Sequence, residues 1–588
     1  MTNEVDSNKG IAYIKAEFVI QNEDTGETVA KKAKLEEEPK KKQKGQFKNR
    51  YNQNKLQFDH SKSLCSCLKD VPEDAEKLPE CKVEKCKYLH DVKEYMEVKL
   101  PDIGNTCYVF STKGYCPRGV TCRFGKSHIT SDGRNKKNKE IIDNFEKNGL
   151  KVKNCHFKEI QIKLRKKKYN FGKSLEILKD LPGFRNSDNF GIPSEDATTP
   201  DMENSSKTES EEPEKPVGPC SDEDLCRLRQ EEKRNINWNG KLYLSPLTTL
   251  GNLPFRRICK EFGADITCSE MAMATSLLQG LPYEWALTKR HQSEDLFGIQ
   301  LCGNNPYLMT KCAQLLEETT EIDYIDINLG CPIDLVYQKG GGSGLLRREK
   351  VLETVVTCMS RVMSLPLTVK TRTGVYAEKN IAHRLIPMFV NAGVSMVTVH
   401  GRSREQRYTR TADWSYINEC AISAPTIPIF GNGDILSYED YNLALENNKD
   451  VAGVMIGRGA LYKPWIFTEI KEQRNWDISS GERFDIIKKF VNYGLDHWGS
   501  DTMGVELTRK FTLEWLSFLY RYIPVGLLER PPQRINERPP KYFGRNDLET
   551  LMASPNCSDW VKITEMLLGP VPENFHFLPK HKANSWAS

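Results

Sequence analysis

The sequence predicts an α/β protein built on a closed (β/α)8 TIM barrel, preceded by two small cysteine-histidine modules and followed by a helical domain. Three observations lead to this prediction. Eight short apolar runs alternate with amphipathic segments over roughly 230 residues, as in a parallel barrel. Strand signals then stop near residue 475, where two long helical patterns begin. Seven of the 18 cysteines lie in one short stretch near the N-terminus.

The eight apolar runs are bounded by glycine, proline or polar residues, which is typical of buried parallel strands. In order they are KLYLSPL, ADITCSE, LFGIQL, IDYIDINLG, PLTVKTR, VSMVTVHGR, IPIFGNGD and VAGVMIGRG, beginning near residues 241, 264, 296, 322, 366, 394, 427 and 451. Most gaps hold a helical pattern, such as NPYLMTKCAQLLEETT. An open doubly wound sheet is the competing architecture, but no GxGxxG turn follows the first run.

Length and composition limit the class of protein. The chain has 588 residues, too many for one core, with 38% hydrophobic and 28% charged residues and a net charge of +5. No stretch approaches the roughly 18 uninterrupted apolar residues of a membrane span, so no membrane partner is expected. Because no secretory signal is visible, the cysteines indicate reduced thiols, and we expect the protein in the cytoplasm and nucleus.

The composition along the chain divides it into six regions. Residues 1–60 form a basic tail, expected to be disordered, whose KKAK and PKKKQK motifs suit nuclear import, RNA contact or simple solvation. The other regions are the cysteine-rich modules (63–130), a basic helical segment expected to contact RNA (131–184), an acidic flexible linker (185–235), the barrel (238–474) and the helical domain (475–588). We expect the linker to let the barrel fold separately from the modules.

The cysteine-rich region contains two sets of residues with the composition of a zinc site. The second set is Cys107, Cys116, Cys122 and His128; the first is Cys81, Cys86 and His90, with Cys65 or Cys67 upstream and Cys65 preferred. Three thiolates and one imidazole satisfy tetrahedral Zn²⁺, so two structural zinc ions are predicted. These sets resemble CCCH zinc fingers, a family that commonly binds RNA. Aromatic residues among the ligands suit stacking on unpaired bases: Tyr88, Phe110, Tyr115 and Phe124.

Polar residues and glycines stand at the C-terminal ends of nearly all the predicted strands, where such barrels place their active sites. They are Ser245, Pro246, Leu247 and Thr248 after the first strand, Gln300, Asn328, Cys331, Lys370, Arg372, His400 and Arg402 after later ones, and Asn432, Gly433, Asp434, Gly457 and Arg458 after the last two. Several cations thus converge on one mouth. The glycines allow backbone amides to approach a phosphate, so an anionic ligand is predicted.

The motifs SPLTTLGNLPFR, GIQL, NLGCP, VKTRTG, VHGR, GNGDI and MIGRGALYKPWIF together resemble the tRNA-dihydrouridine synthases, flavin enzymes with this barrel and a C-terminal helical domain. The resemblance covers residues 241 to about 585. With the CCCH sets ahead of the barrel and WLSFLYRYIPVGLLERPPQRINERPP behind it, the chain is similar to the eukaryotic zinc-finger branch, dihydrouridine synthase three. That branch reduces a variable-loop uridine, position 47 of tRNA, with tRNA as partner and mRNA as a further candidate substrate.

The resemblance implies FMN as cofactor and NADPH as electron donor, with NADH left open. It implies Cys331 as proton donor and Asn328, Arg372 and Arg402 at the target uracil. An ordinary thiol, with a pKa of about 8.5, stays mostly protonated at neutral pH and can act as an acid; the alternative is a buried core cysteine. The FMN contacts implied are Pro246, Leu247 and Thr248 at the isoalloxazine, Gln300 and Lys370 near the ring, and His400, Asn432, Gly433, Asp434, Gly457 and Arg458 at the ribityl phosphate.

The target base of a folded RNA must be extruded, so further RNA contacts are expected to offset that cost. A candidate surface is the basic series Arg530, Arg534, Arg538, Lys541 and Arg545, although a solvated face is the alternative. A monomer is expected. Two rival functions remain open from the sequence: a zinc-finger RNA-binding protein with a catalytically inactive flavin barrel, and a flavin barrel that reduces a free pyrimidine.

Overall fold

A computed structural model describes residues 10–20, 62–179, 235–406, 408, 410–573 and 575–580. Eight parallel strands close into a barrel, which confirms the predicted fold class and excludes the open sheet. Each strand pairs with the next in the chain, and β8 pairs with β1. The strands are β1 Leu242–Leu244, β2 Ile266–Cys268, β3 Leu296–Cys302, β4 Tyr324–Asn328, β5 Leu367–Arg372, β6 Val394–His400, β7 Ile429–Asn432 and β8 Gly453–Ile456.

Helices precede, surround and follow the barrel. Those of the N-terminal part are α1 Val92–Val98, α2 Tyr108–Lys113, α3 Lys139–Asn148, α4 Lys158–Arg165 and α5 Gly172–Lys179. Those around the barrel are α6 Leu253–Glu261, α7 Ala274–Leu278, α8 Pro282–Trp285, α9 Pro306–Thr319, α10 Asp334–Gln338, α11 Glu349–Val362, α12 Ala382–Asn391, α13 Trp414–Ile422, α14 Tyr438–Glu446, α15 Arg458–Tyr462 and α16 Ile466–Glu472. The C-terminal helices are α17 Ser480–Trp498, α18 Thr502–Leu519, α19 Asp547–Ala553 and α20 Cys557–Leu568. Among the described residues, no helix combines the length and apolar character that crossing a membrane requires.

Large side chains fill the interior of the barrel. Tyr243, Tyr324, Phe430 and Met396 are fully buried there, and Trp238 packs edge-to-face against Tyr324 with ring centroids 5.4 Å apart. Trp238 precedes β1, so it closes the lower end. Because the interior is a packed core, a ligand is confined to the upper mouth.

The predicted C-terminal helices α17 and α18 pack directly on the barrel. A capping box at Ser479 starts α17, and the Asp501 carboxylate caps α18. Trp515 of α18 is fully buried, lies 5.5 Å from the ring of Phe255 on α6, and donates a hydrogen bond to the carbonyl of Leu461 at 3.1 Å. The barrel and the helical domain therefore share one apolar core.

The second cysteine-histidine module packs on the connection between α17 and α18. Its Val109 and Phe124 join a buried cluster with Val491 and Leu495 of α17. The amide of Arg123 donates to the carbonyl of Ser500 at 2.8 Å. The second module is therefore in contact with the helical domain, to which it presents apolar side chains, and separate folding of the barrel stays a prediction.

The basic segment after the modules is attached to the barrel. Its residues Val152–Lys153 pair antiparallel with Arg290–His291, and Phe157 packs against Trp285 with ring centroids 4.5 Å apart. Helix α5 packs on α9, where Ser174 donates to Gln314 at 2.6 Å. The cations of the run at Lys163 and 165–168 are exposed, so the predicted RNA contact remains available.

Residues 10–20 are ordered, contrary to the prediction of a disordered tail through residue 60. Ala12 and Ile14 are buried against Ile523, Leu527 and Leu528. At the start of this stretch Ala12 and Ile14 are buried while Ile11 and Tyr13 are exposed, the period of an extended strand, and a 3-10 turn over Ala16–Phe18 follows. The KKAK and PKKKQK motifs and the linker up to residue 234 lie outside the described residues.

Candidate active site and metal centres

A cavity of about 550 Å³ opens at the upper mouth of the barrel. Of the predicted cofactor, substrate and catalytic residues, all but Arg402 line it. One wall belongs to the helical domain and the segment after it, which sequence reasoning did not assign to the pocket. This wall includes Phe518, Arg521, Ile535, Asn536 and Arg538.

A chain of side-chain hydrogen bonds connects the interior of the barrel to the loop of Cys331. The Gln300 amide donates to the buried Asp326 carboxylate at 2.7 Å, which orients the Gln300 carbonyl to accept from Asn328 at 2.8 Å. The Asn328 carbonyl in turn accepts from the amide of Cys331 at 2.9 Å. Thr368 donates to the other Asp326 oxygen at 2.7 Å. Gln300 and Asn328 therefore hold the loop of Cys331 in place.

Asp326 was missed by sequence reasoning. Burial raises the pKa of its carboxyl to about 6, while the Gln300 and Thr368 hydrogen bonds and the Lys370 charge oppose that shift. A signal was present: an acidic residue two positions before Asn328, and so on the same face of an otherwise apolar strand.

The Cys331 thiol is 6% exposed at the cavity wall. Burial raises its pKa above the ordinary value, against the lowering effects of the Ile333 backbone and the Arg372 and Lys370 charges. The glycine loop packs closely behind it: Gly342 has φ +53°, and a Cβ there would lie 2.9 Å from the Cβ of Cys331. The thiol is thus held protonated at neutral pH in a restrained loop.

Cationic and polar side chains of β5 and β6 stand beside the thiol. Arg372 donates to the carbonyls of Gly330 at 2.7 Å and Ser403 at 3.0 Å, so backbone groups fix its guanidinium. Burial, with the Arg372 charge, lowers the pKa of the Lys370 amine to about 8. Burial and the surrounding cations, beginning with Arg372, lower the pKa of His400 well below its ordinary value, so this imidazole is neutral.

Arg402 lies behind the cavity wall rather than in it. Its guanidinium is 1% exposed and binds the Asp434 carboxylate at 2.5 and 2.7 Å and the carbonyl of Arg410 at 2.6 Å. Arg402 is therefore not among the predicted uracil contacts that the structure brings to the cavity; its side chain positions Asp434. Asp434 also binds Arg458 at 2.8 Å, which orients that guanidinium at the cavity.

The loops after β7 and β8 form a concave wall. Gly433 has φ +140°, and a Cβ there would lie 2.4 Å from the Cβ of Ala412, so glycine is required. Asn432 donates to the carbonyl of Met455 at 2.7 Å, which ties the two loops together. Tyr408 was missed by sequence reasoning; its ring lies 4.2 Å from the Arg458 guanidinium at the cavity rim.

The second set of zinc-type ligands is completely buried. The ligand atoms of Cys107, Cys116, Cys122 and His128 all lie within 4.8 Å of one another. The His128 Nδ1 atom is 2.9 Å from the Asn135 carbonyl, whereas its buried Nε2 atom has no hydrogen-bond partner. An imidazole held through Nδ1 with a free Nε2 beside three thiols is the arrangement of a zinc ligand.

The first set is more exposed. Cys65 is buried, Cys81 and Cys86 are half-buried, and His90 is exposed, yet their ligand atoms also lie within 4.8 Å of one another. Cys65 rather than Cys67 belongs to this group, in agreement with the ligand preferred from the sequence. The Cys67 sulfur lies 3.3 Å from that of Cys65, so a fourth thiol borders the cluster.

Comparison with known proteins identifies the family. The model Dihydrouridine synthase (Dus) matches residues 243–514, and the model DUS3L CCCH zinc finger domain matches residues 99–131. A Xenopus laevis protein named tRNA-dihydrouridine(47) synthase (NAD(P)(+))-like is 54% identical, over 97% of this chain and 90% of that protein. Proteins of the same name from Homo sapiens and Arabidopsis thaliana are 53% and 43% identical, over 93% and 86% of this chain and 84% and 82% of theirs.

The chain belongs to the dihydrouridine synthase family. It is therefore an oxidoreductase, as the strand-end motifs predicted. The zinc-finger model matches the buried second cluster, and the first cluster lies outside that match. The part of the chain matched by the Dus model includes most of the cavity wall, but its end at residue 514 leaves out Phe518, Arg521 and the segment that carries Asn536.

Proposed function

We propose that this dihydrouridine synthase reduces the C5–C6 bond of the variable-loop uridine at position 47 of tRNA, with FMN as cofactor and NADPH as electron donor. The observation that carries the proposal is the Cys331 thiol, which has a raised pKa and lines a cavity walled by Lys370, Arg372 and His400. We further propose that some mRNA uridines are also substrates. We propose that the protein acts as a monomer in the cytoplasm and nucleus.

The residues around the cavity fit a flavin phosphate. Arg458 and the loop of Gly433 and Gly457 offer a guanidinium and a concave backbone to a dianion, and the neutral His400 can donate a hydrogen bond to it. Lys370 stands beside Asn432, 3.5 Å from its carbonyl oxygen, where a cation suits the electron-rich edge of a reduced ring. Bound FMN, once reduced by NADPH, would supply the hydride for C6 of the uracil.

Cys331 supplies the proton. Because its pKa is raised, the thiol is protonated at neutral pH and donates its proton to C5 as the C5–C6 double bond is consumed. The thiolate left behind is stabilised by Arg372 and Lys370, whose charges lower the thiol pKa. Arg372 and Asn328 line the cavity beside Cys331, where the uracil would lie against them.

We also propose that the protein binds two zinc ions, one in each cysteine-histidine set. The second set fits a metal because His128 presents an unpartnered Nε2 to three buried thiols. The first set supplies the same donors with greater exposure. We propose that this exposed module contacts RNA, which helps to offset the cost of extruding the target base.

Cys331→Ala tests the proposal. We expect normal flavin content, normal flavin reduction by NADPH, and a rate of flavin reoxidation by unmodified tRNA that falls roughly 10²–10⁴-fold, as for loss of a positioned acid. Rapid-mixing absorbance spectroscopy measures both half-reactions, and mass spectrometry of the tRNA locates the dihydrouridine.

The matched control is Cys312→Ala, which removes a fully buried thiol from the helix α9 outside the cavity. It should lower stability modestly and leave reoxidation unchanged. A normal rate of flavin reoxidation in Cys331→Ala would contradict the proton-donor role and would indicate that Cys331 only packs against its neighbours. A protein without flavin that still binds tRNA would instead favour the RNA-binding protein with an inactive barrel.

A further inference from the structure

Residues 10–20, here called the N-terminal strap, run along an irregular segment that reaches the cavity. That segment is residues 528–546, here called the arginine loop; all of it is described, and it contains no helix or strand. A long loop without regular structure needs support from elsewhere in the chain to keep one shape. The strap provides that support.

Five backbone hydrogen bonds join the strap and the arginine loop. Arg538 takes part at both of its backbone groups: its amide donates to the carbonyl of Gly10, and its carbonyl accepts from Ala12, each at 2.8 Å. Further bonds run from Glu529 to Tyr13 at 2.9 Å, from Ile20 to Lys541 at 3.0 Å and from Phe543 to Phe18 at 3.1 Å.

Side chains secure the same contact. Ile14 is 5% exposed and packs with Leu528, which is 4% exposed. The Arg530 guanidinium lies 5.1 Å from the Tyr13 ring, and the rings of Phe18 and Phe543 meet edge-to-face at 6.2 Å. Removing the strap would expose this apolar surface and leave these backbone groups of the loop without partners.

Arg538, which is bonded to the strap at both backbone groups, also belongs to the cavity wall. Ile535, Asn536 and Arg538 line the cavity, and Asn536 and Arg538 are exposed. Arg538 is also oriented from within the loop, since its Nη1 atom donates to the carbonyls of Ile535 at 3.2 Å and Glu537 at 3.1 Å. Arg545, by contrast, is committed to Asp477 and Glu549, each at 2.7 Å.

We propose that the strap positions Asn536 and Arg538 to bind the sugar and phosphate that flank the extruded uridine. The chemistry supports an RNA backbone: an exposed guanidinium and an exposed amide line a cavity of about 550 Å³ and can donate to phosphate and sugar oxygens. This inference rests on the proposed function, because it assumes that the cavity receives a nucleotide of tRNA. The strap residues act through the loop and are positioning residues.

Two deletions of the full chain test it. Deletion of residues 1–20 removes the strap, and deletion of residues 1–9 is the matched control that retains it. We expect the longer deletion alone to lower kcat/KM for unmodified tRNA about 10- to 100-fold, the scale of a small misplacement of substrate. Flavin content and the rate of flavin reduction by NADPH without tRNA should match those of the control.

A pair of point variants tests the packing. Ile14→Asp places a carboxylate at a buried position, whereas Ile11→Asp places the same group at a position that is 42% exposed. Only Ile14→Asp should weaken tRNA turnover. A synthetic peptide of residues 8–22, added in trans to the longer deletion, should restore turnover in a saturable manner.

Equal tRNA Kd and kcat/KM in the two deletions would overturn the proposal. So would parallel losses of flavin reduction and tRNA turnover, because the strap would then stabilise the whole protein rather than position a loop. If the full chain forms no dihydrouridine, the proposed function fails on its own. The role of the strap can still be tested in that case by the affinity for tRNA. The Kd of labelled tRNA, measured by fluorescence anisotropy, should rise only in the longer deletion.

Discussion

The two cysteine-histidine clusters have the same ligands but very different surroundings. In the second cluster all four ligands are buried, and the Cys116 sulfur lies 3.4 Å from the Ser500 hydroxyl of the helical domain. In the first cluster His90 is exposed, and the apolar core beneath it is small, formed by Leu64, Leu68, Val71 and Val120. The same set of ligand residues therefore occurs in two structural settings: the second cluster is part of the protein's core, and the first lies at its edge.

The aromatic residues show the same difference. Phe110 stacks on His128 with ring centroids 5.2 Å apart, and Phe124 is 8% exposed, so both pack within the second module. Base stacking, predicted for these two residues, is not supported by their positions. Tyr88 of the first module is half-buried and stays a candidate.

Cys122→Ser should have the largest effect. Losing one buried ligand should release one zinc ion and loosen the packing on α17 and α18, because metal binding contributes folding free energy directly. We expect Tm to fall by about 10 °C or more, a loss of several kcal/mol. Metal analysis and differential scanning calorimetry test this. An unchanged Tm with one zinc lost would contradict the structural role of the second cluster.

Asp496→Asn should weaken the contact between the second module and the rest of the protein. Asp496 is 10% exposed at its side chain and pairs with Lys113 of the module and with Arg257 of α6, the latter at 3.3 Å. We expect a cost of about 1–3 kcal/mol. The control is Lys489→Met, which breaks a more exposed pair with Glu261 and should cost less than about 1 kcal/mol. Denaturant midpoints followed by tryptophan fluorescence should separate the two.

Acid should destabilise the contacts around α17. Burial lowers the pKa of His497 to about 3 and that of His291 to about 4, with nearby arginine and lysine charges contributing. In the unfolded chain the pKa of each imidazole returns to about 6.5. The contribution of these two histidines to the free energy of unfolding is therefore fully present above pH 6.5 and is lost as the pH falls toward 4. The free energy of unfolding should decrease between pH 7 and 5, and in His497→Gln this decrease should be smaller by about 1–2 kcal/mol. The exposed control His576→Gln should keep the full pH dependence of Tm.

Cys86→Ser should have the smallest effect on stability. One zinc should be lost, as in Cys122→Ser, yet Tm should change by only about 1–2 °C, because the first cluster supports a small core. The affinity for tRNA should fall while flavin content is retained. A decrease in Tm equal to that of Cys122→Ser would show that both clusters stabilise the fold equally, which would contradict the difference between them.

Much of the candidate site was predictable because strand ends are local features. Cys331, Lys370 and His400 follow apolar runs, and the parallel barrel rule places all such ends at one mouth. Asp326 escaped because its role depends on Gln300, which lies on a neighbouring strand. The position of Arg402 escaped for a related reason: its spacing of two residues places it on the face of His400, but its guanidinium binds Asp434 behind the cavity wall.

The sequence by itself determined the strand-helix alternation, the ligand sets and the motif-bearing strand ends, because these depend on periodicity and spacing along a continuous stretch. Tertiary structure alone decided three things: that the second cluster packs on the helical domain, that the arginine loop walls the cavity, and that residues 10–20 brace this loop. Each joins segments hundreds of residues apart. Such contacts depend on shape and burial in three dimensions, which a local pattern does not encode.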